Sequence, residues 1–198
     1  MNPKTFSEEE TRRARQKAAL LFFIAIVPLV AATVMYYTGW AMPGSTTNNG
    51  EFVEGSEQVL DQGIKDADGE PFSARFLQEN EDAKWWILVT ADECGEACIE
   101  WLDRTASIHQ LLHKDWNRAR RGFISSDGTV PEGANDHRLV KLSAPEPNPL
   151  AEYTAEGAEA TVFIVDPMGS LVLRYDQRHS AEDVLKDLEH LLEVSPLG

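Results

Sequence analysis

Residues 18–37, AALLFFIAIVPLVAATVMYY, carry twenty consecutive side chains without a charge, and no other feature of the chain restricts its fold as strongly. In hydrocarbon there is no water to bond the peptide groups, so such a segment has to be a helix. Twenty residues rising about 1.5 Å each cover about 30 Å, the thickness of a bilayer's apolar core. Pro28 removes one backbone hydrogen bond in mid-span, which membrane helices tolerate. The cluster TRRARQK at 11–17 lies directly before the span, and Tyr36, Tyr37 and Trp40 stand at its far edge as interfacial anchors. The expected layout is a cytoplasmic tail at 1–17 and a transmembrane helix at 18–40, with everything after it exported. A cleaved signal peptide is the alternative, since Ala31-Ala32 offers small residues to a peptidase, but the stretch is longer than the 7–15 residues of a signal h-region. Three glutamates in the first ten residues argue against a transit peptide. The simplest address is a bacterial inner membrane, crossed once, with the C-terminal domain in a periplasm where disulfides can form.

The first seventeen residues hold five basic and three acidic side chains, so the net charge of −15 for the whole chain leaves −17 for the remainder. That acidity excludes nucleic acid and anionic lipid headgroups as partners of the exported part, because both would repel it. Cationic partners and plain solubility both remain open.

Residues 41–50, AMPGSTTNNG, are small and polar with no apolar period and read as a linker, leaving 51–198 as one domain. Asp68-Gly69 is a turn signal, expected between two short strands. Residues 84–90, KWWILVT, have the length and composition of a buried strand. Apolar positions from Ala97 to Leu112 fall at helical spacing, predicting a long helix over 96–116. Further strands are expected at 121–125, 138–142 and 160–165. The last of these turns through Asp166-Pro-Met-Gly169 into a hairpin partner at 170–175. Three prolines between 143 and 157 predict a loop, and Ser180 caps a final amphipathic helix. Strand, helix, strand, hairpin, helix is the order of an α/β, thioredoxin-like three-layer sandwich.

The chain has two cysteines, Cys94 and Cys98, placed where the 84–90 strand runs into the helix. Four apart on one helix face, two thiols can close a disulfide or together grip a soft metal. A helix N-terminus favours the Cys94 thiolate, whereas Asp92, Glu93, Glu96 and Glu100 oppose it by like-charge repulsion. An inert local disulfide or two buried thiols are the structural alternatives.

The strand, the CGEAC junction, the Asp-Pro turn between strands and the N-terminal anchor together resemble the Sco/SenC family of cytochrome oxidase assembly proteins, loosely over 84–192. The resemblance implies a thioredoxin fold and a site at Cys94 and Cys98, catalytic, metal-holding or both. It implies Cu(I) as a possible cargo, and a respiratory oxidase subunit or a copper or thiol assembly factor as partner. The family's distal histidine is missing: its position falls near Ala158, in the stretch EGAEA at 156–160. Ile99 stands where the family commonly has proline, and Ala160 precedes Thr161 where thioredoxin-like oxidoreductases carry a cis-proline.

Among substitutes for the histidine, His109 and His113 lie on the helix, with His109 about 16 Å along the axis from Cys98, and read as a polar face near its end. His137 in a loop could swing in as a third ligand. Glu156 or Glu159 could fill the place, but a carboxylate suits Cu(I) poorly. His179 and His190 belong to the C-terminal helix region, and Trp85, Trp86 and Trp101 read as core packing. Two other functions stay open: a non-catalytic assembly partner with a purely structural disulfide, and a generic periplasmic dithiol oxidoreductase.

Overall fold

The computed structural model describes residues 8–38, 47–56, 59–76, 80, 82–131, 134 and 136–197. They fall into two compact units, Met1–Thr46 and Thr47–Gly198. In the first, one helix, α1 (Glu8–Thr38), contains an apolar window over Arg15–Thr38 with mean hydropathy 2.6, none of it buried within the protein. Its apolar side chains are exposed on all sides, as suits a helix whose solvent is not water. Thr33 and Thr38 turn their hydroxyls back onto the carbonyls of Leu29 and Val34, so neither is left unbonded. The helix begins ten residues ahead of the apolar span because the preceding segment is rich in Glu, Arg, Lys and Ala, all strong helix formers. Trp40 lies outside the described residues.

The second unit is built on a seven-stranded sheet. Its strands are β1 (Glu51–Phe52), β2 (Lys65–Asp66), β3 (Trp85–Thr90), β4 (Ala119–Ser125), β5 (Leu139–Ser143), β6 (Thr161–Val165) and β7 (Leu171–Tyr175), in the spatial order β1-β7-β6-β3-β4-β5-β2. β3, β4 and β5 run parallel, and the other neighbours pair antiparallel. Alternation along β3 sends Trp85, Ile87 and Val89 to one face, where α2 (Glu96–Leu111) and α3 (Ala181–Val194) cover them. Trp86 and Leu88 go to the other face, covered by the 59–76 segment with its two 3₁₀ turns and by Leu150 from the proline-rich loop. Helices, sheet and this irregular layer make the three layers of the expected sandwich. All three tryptophans expected in the core are there.

Two details keep both faces apolar. β6 and β7 shift register between Ile164 and Val165, skipping Val172, so Leu171 joins the second face while Leu173 and Tyr175 stay on the helix face. Gly122 on β4 lets the second face close, since a Cβ there would come within 2.7 Å of Leu88 and 3.2 Å of Leu142.

Several expected boundaries move. α2 stops at Leu111 rather than 116, because His113 adopts φ +46° and the chain continues as a 3₁₀ turn over His113–Arg118. Asp68-Gly69 does turn, with Gly69 at φ +85°, but Lys65–Asp66 pairs with β5, and only a single bridge from Lys65 to Pro71 spans the turn. Ser180 caps α3 in a reciprocal capping box with Asp183. The linker expected over 41–50 gives up its last residues to the folded unit. The Asn49 and Gly50 backbone N–H groups donate to the Asp187 carboxylate at 2.8 Å, as does the Tyr175 hydroxyl. Asp187 is 5% exposed, and a carboxylate that deep needs donors, so it holds the incoming strand against α3.

Candidate functional site

β3 ends at Thr90, the chain turns through Ala91–Glu93, and Gly95 in extended conformation (φ −83°, ψ −160°) caps α2. The two cysteines therefore do not share a helix face, as i, i+4 spacing alone suggests. Cys98 is helical, while Cys94 sits two residues ahead of the first helical residue. The extended cap brings their Cα atoms to 5.1 Å, and they are joined in a disulfide.

The two sulfurs have different surroundings. Cys98 is 0% exposed and packs in the helix-face core with Trp101 and Leu102. Cys94 is half-buried and lines a cavity of about 580 Å³. The opposite wall comes from the start of β6 and the loop before it: Thr161, Ala160, Glu159 and Ala158, with Asn148 and Thr154 from the proline-rich loop. Thr90 and Thr161 pair across β3 and β6, which is why the end of one strand and the start of the other open onto the same space. Asn148 and Thr154 were not legible as site residues. Only the antiparallel pairing of β6 against β3, which carries the preceding loop over the cysteines, brings them there.

Ala158, near which the sequence resemblance puts the family's histidine, lines the same cavity as Cys94. No histidine takes that place. His137 lies in a different hollow with Asp66, Arg75 and Asp136. His109 is no part of a polar face: it is 4% exposed, and its Nε2 donates to the Ala119 carbonyl at 3.1 Å, so the ring turns inward toward β4. Burial holds its pKa below the ordinary histidine value. His113 is exposed at the end of α2, His179 sits 3.1 Å from the Asp176 carboxylate, and His190 is exposed on α3. Among the described residues no three His, Cys, Asp or Glu side chains converge as a metal set.

The charged groups around Cys94 are of one sign. Asp92, Glu93 and Glu159 line the cavity, and an adjoining hollow that shares Cys94 and Gly95 adds Glu96, Glu100 and Asp103. Neither space is lined by a Lys, Arg or His among the described residues. All six acids are exposed, so their repulsion acts through solvent and is open to screening by salt.

A mixed sheet with a two-cysteine bridge at the junction of β3 and α2 defines a thioredoxin-like domain, here in a chain that also carries a long apolar N-terminal helix. Residues 85–195 match the transmembrane-like, thioredoxin-like, C-terminal domain family, and residues 8–39 match the transmembrane-like, N-terminal domain family. The chain belongs to this transmembrane-like, thioredoxin-like family. Among solved structures it is similar to copper-bound ScoI of Arabidopsis thaliana, at 16% identity and TM-score 0.49 over 67% of this chain and 96% of that one. It is also similar to copper-bound yeast Sco1, at 15% and 0.49 over 77% and 98%. A third likeness is to the bacterioferritin comigratory protein of Xanthomonas campestris, at 12% and 0.45 over 72% and 94%. These are likenesses of fold. No curated protein matches the chain.

Proposed function

We propose that the protein is a membrane-anchored thiol–disulfide exchange factor whose working pair is Cys94 and Cys98, with the N-terminus cytoplasmic and the domain periplasmic. The observation that carries this reading is the asymmetry of the bridge: one sulfur opens onto a cavity large enough for a peptide loop, the other is sealed in the core. A partner's thiolate reaches the Cys94 sulfur only. Its attack forms a mixed disulfide on Cys94 and breaks the Cys94–Cys98 bond, and Cys98 leaves as a thiolate that takes up the proton given up by the partner's second thiol. A second partner thiolate then attacks the partner's sulfur and releases Cys94. The partner's two thiols become a disulfide, and the cysteine pair is reduced by the same two electrons. Run backward, the same steps reduce a partner.

Cytochrome oxidase biogenesis is the setting that the sequence resemblance supports, through the CGEAC junction, the Asp-Pro turn and the anchor. In that setting the partner is an oxidase subunit or a copper or thiol assembly factor. A reduced pair also offers two soft thiolates to Cu(I) as cargo, with Ala158 in place of a third ligand.

The test is trapping. Cys98→Ser in the full chain leaves Cys94 unable to resolve a mixed disulfide and should accumulate a reducible adduct with its partner, whereas Cys94→Ser should not. A reduction potential well below about −300 mV would instead mark the bridge as a structural staple and end the exchange reading. Stoichiometric binding of Cu(I) to the reduced protein, lost in Cys94→Ser, would move the function toward metal holding.

A further inference from the structure

Ion pairs serve some of the domain's acids and leave others exposed without a cation. Glu51 is paired with Arg174 and Arg178, Asp66 with Arg75, and Asp136 with Arg121. Around Cys94, only Glu100 has a cation, Arg104 at 2.6 Å. Asp92, Glu93, Glu96, Asp103 and Glu159 make no ion pair among the described residues. The proposed chemistry brings in a thiolate and releases another, so a rim of unpaired carboxylates opposes it at every step unless the partner supplies positive charge.

We propose that the Cys94 cavity selects protein partners whose reactive cysteine is flanked by lysine or arginine, and that Asp92, Glu93 and Glu159 are the residues that select them. This rests on the exchange reading above. Cationic side chains beside the incoming sulfur meet the three carboxylates lining the cavity, and the small walls at Gly95, Ala158 and Ala160 leave room for them. Anionic thiols are repelled by the same groups, so the rim rejects wrong partners as well as attracting right ones.

The test uses the oxidised full chain in neutral detergent micelles. Three capped pentapeptides reduce it, each with one cysteine flanked by lysines, serines or glutamates. Each rate is divided by the same peptide's rate with 2-hydroxyethyl disulfide, a neutral reference that cancels differences in thiol reactivity. The expected order is lysine, serine, glutamate, with about a tenfold spread at low ionic strength that shrinks to about twofold near 0.5 M salt. In the Asp92→Asn, Glu93→Gln, Glu159→Gln triple variant, the low-salt spread should also fall to about twofold. Equal lysine and glutamate rates at low salt, or a spread that survives the triple substitution, would overturn charge selection while leaving exchange intact. Failure of the serine peptide to reduce the bridge at all would overturn exchange itself and charge selection with it.

Discussion

Asp187 and the rim of Asp92, Glu93 and Glu159 carry the same functional group under opposite conditions. Asp187 is nearly sealed, and it accepts hydrogen bonds from Asn49, Gly50 and Tyr175. The rim carboxylates are exposed and unpaired among the described residues. A buried charge survives only where the fold supplies its donors, so its place is decided by stability. An exposed one is hydrated at little cost, so its position is free to serve something outside the molecule. Both lie toward the same end of the sheet, since Tyr175 pairs with Val162 and Thr161 with Thr90, so burial and not location separates the two roles.

The comparison breaks most visibly at Asp187. Asp187→Ala should lower unfolding stability by about 4 kcal/mol, because several buried donors lose their acceptor together. Denaturant unfolding of the full chain in detergent checks this, and a loss under about 1 kcal/mol would mean the clasp is dispensable. Tyr175→Phe removes one donor to that carboxylate and should cost about 1.5 kcal/mol by the same measurement. Burial raises the Tyr175 pKa, reinforced by the Asp187 charge, so the hydroxyl remains a donor across the working pH range.

His109 sharpens the contrast with a buried base kept neutral. Its folded pKa is depressed by burial, so the unfolded chain takes up the proton first, and stability is lost as pH falls below the ordinary histidine value near 6.5. Part of the decline in unfolding midpoint between pH 7 and 5 should vanish in His109→Gln. An unchanged slope would place the titration elsewhere. At the far end of the scale, Glu159→Gln or Asp92→Asn should leave the unfolding midpoint where it is, since neither group holds the fold. A measurable shift in thermal unfolding would put the rim in the same class as Asp187.

Much of the fold is legible in residue order. Lys84–Thr90 composition announces β3, the Asp166–Gly169 turn places the β6–β7 hairpin, and Ser180 marks the start of α3, all because these signals are local. The seams were not. α2 gives way at Leu111 because the backbone at His113 reverses, and no apolar period reports that. Residues 47–50 look like linker by composition, yet join the domain because a carboxylate 137 residues on from Gly50 needs their N–H groups. At the site, the sequence points to Cys94, Cys98 and the Ala158 position. It does not point to Asn148 or Thr154, which reach the cavity only when β6 pairs antiparallel to β3.

By itself the amino-acid order determined that this chain has one uncharged span long enough for a bilayer, one α/β domain after it and one pair of cysteines at a strand–helix junction. Hydrophobic length, periodicity and turn chemistry act within a few residues, so they can be read in order along the chain. Tertiary structure alone decided that Cys98 is sealed and Cys94 open, that His109 turns inward, and that Glu159 from a separate segment and Asp103 join the four acids that residue order already puts beside Cys94. Burial and electrostatic surroundings are sums over neighbours distant in sequence, and they take a value only once the sheet has brought those neighbours together.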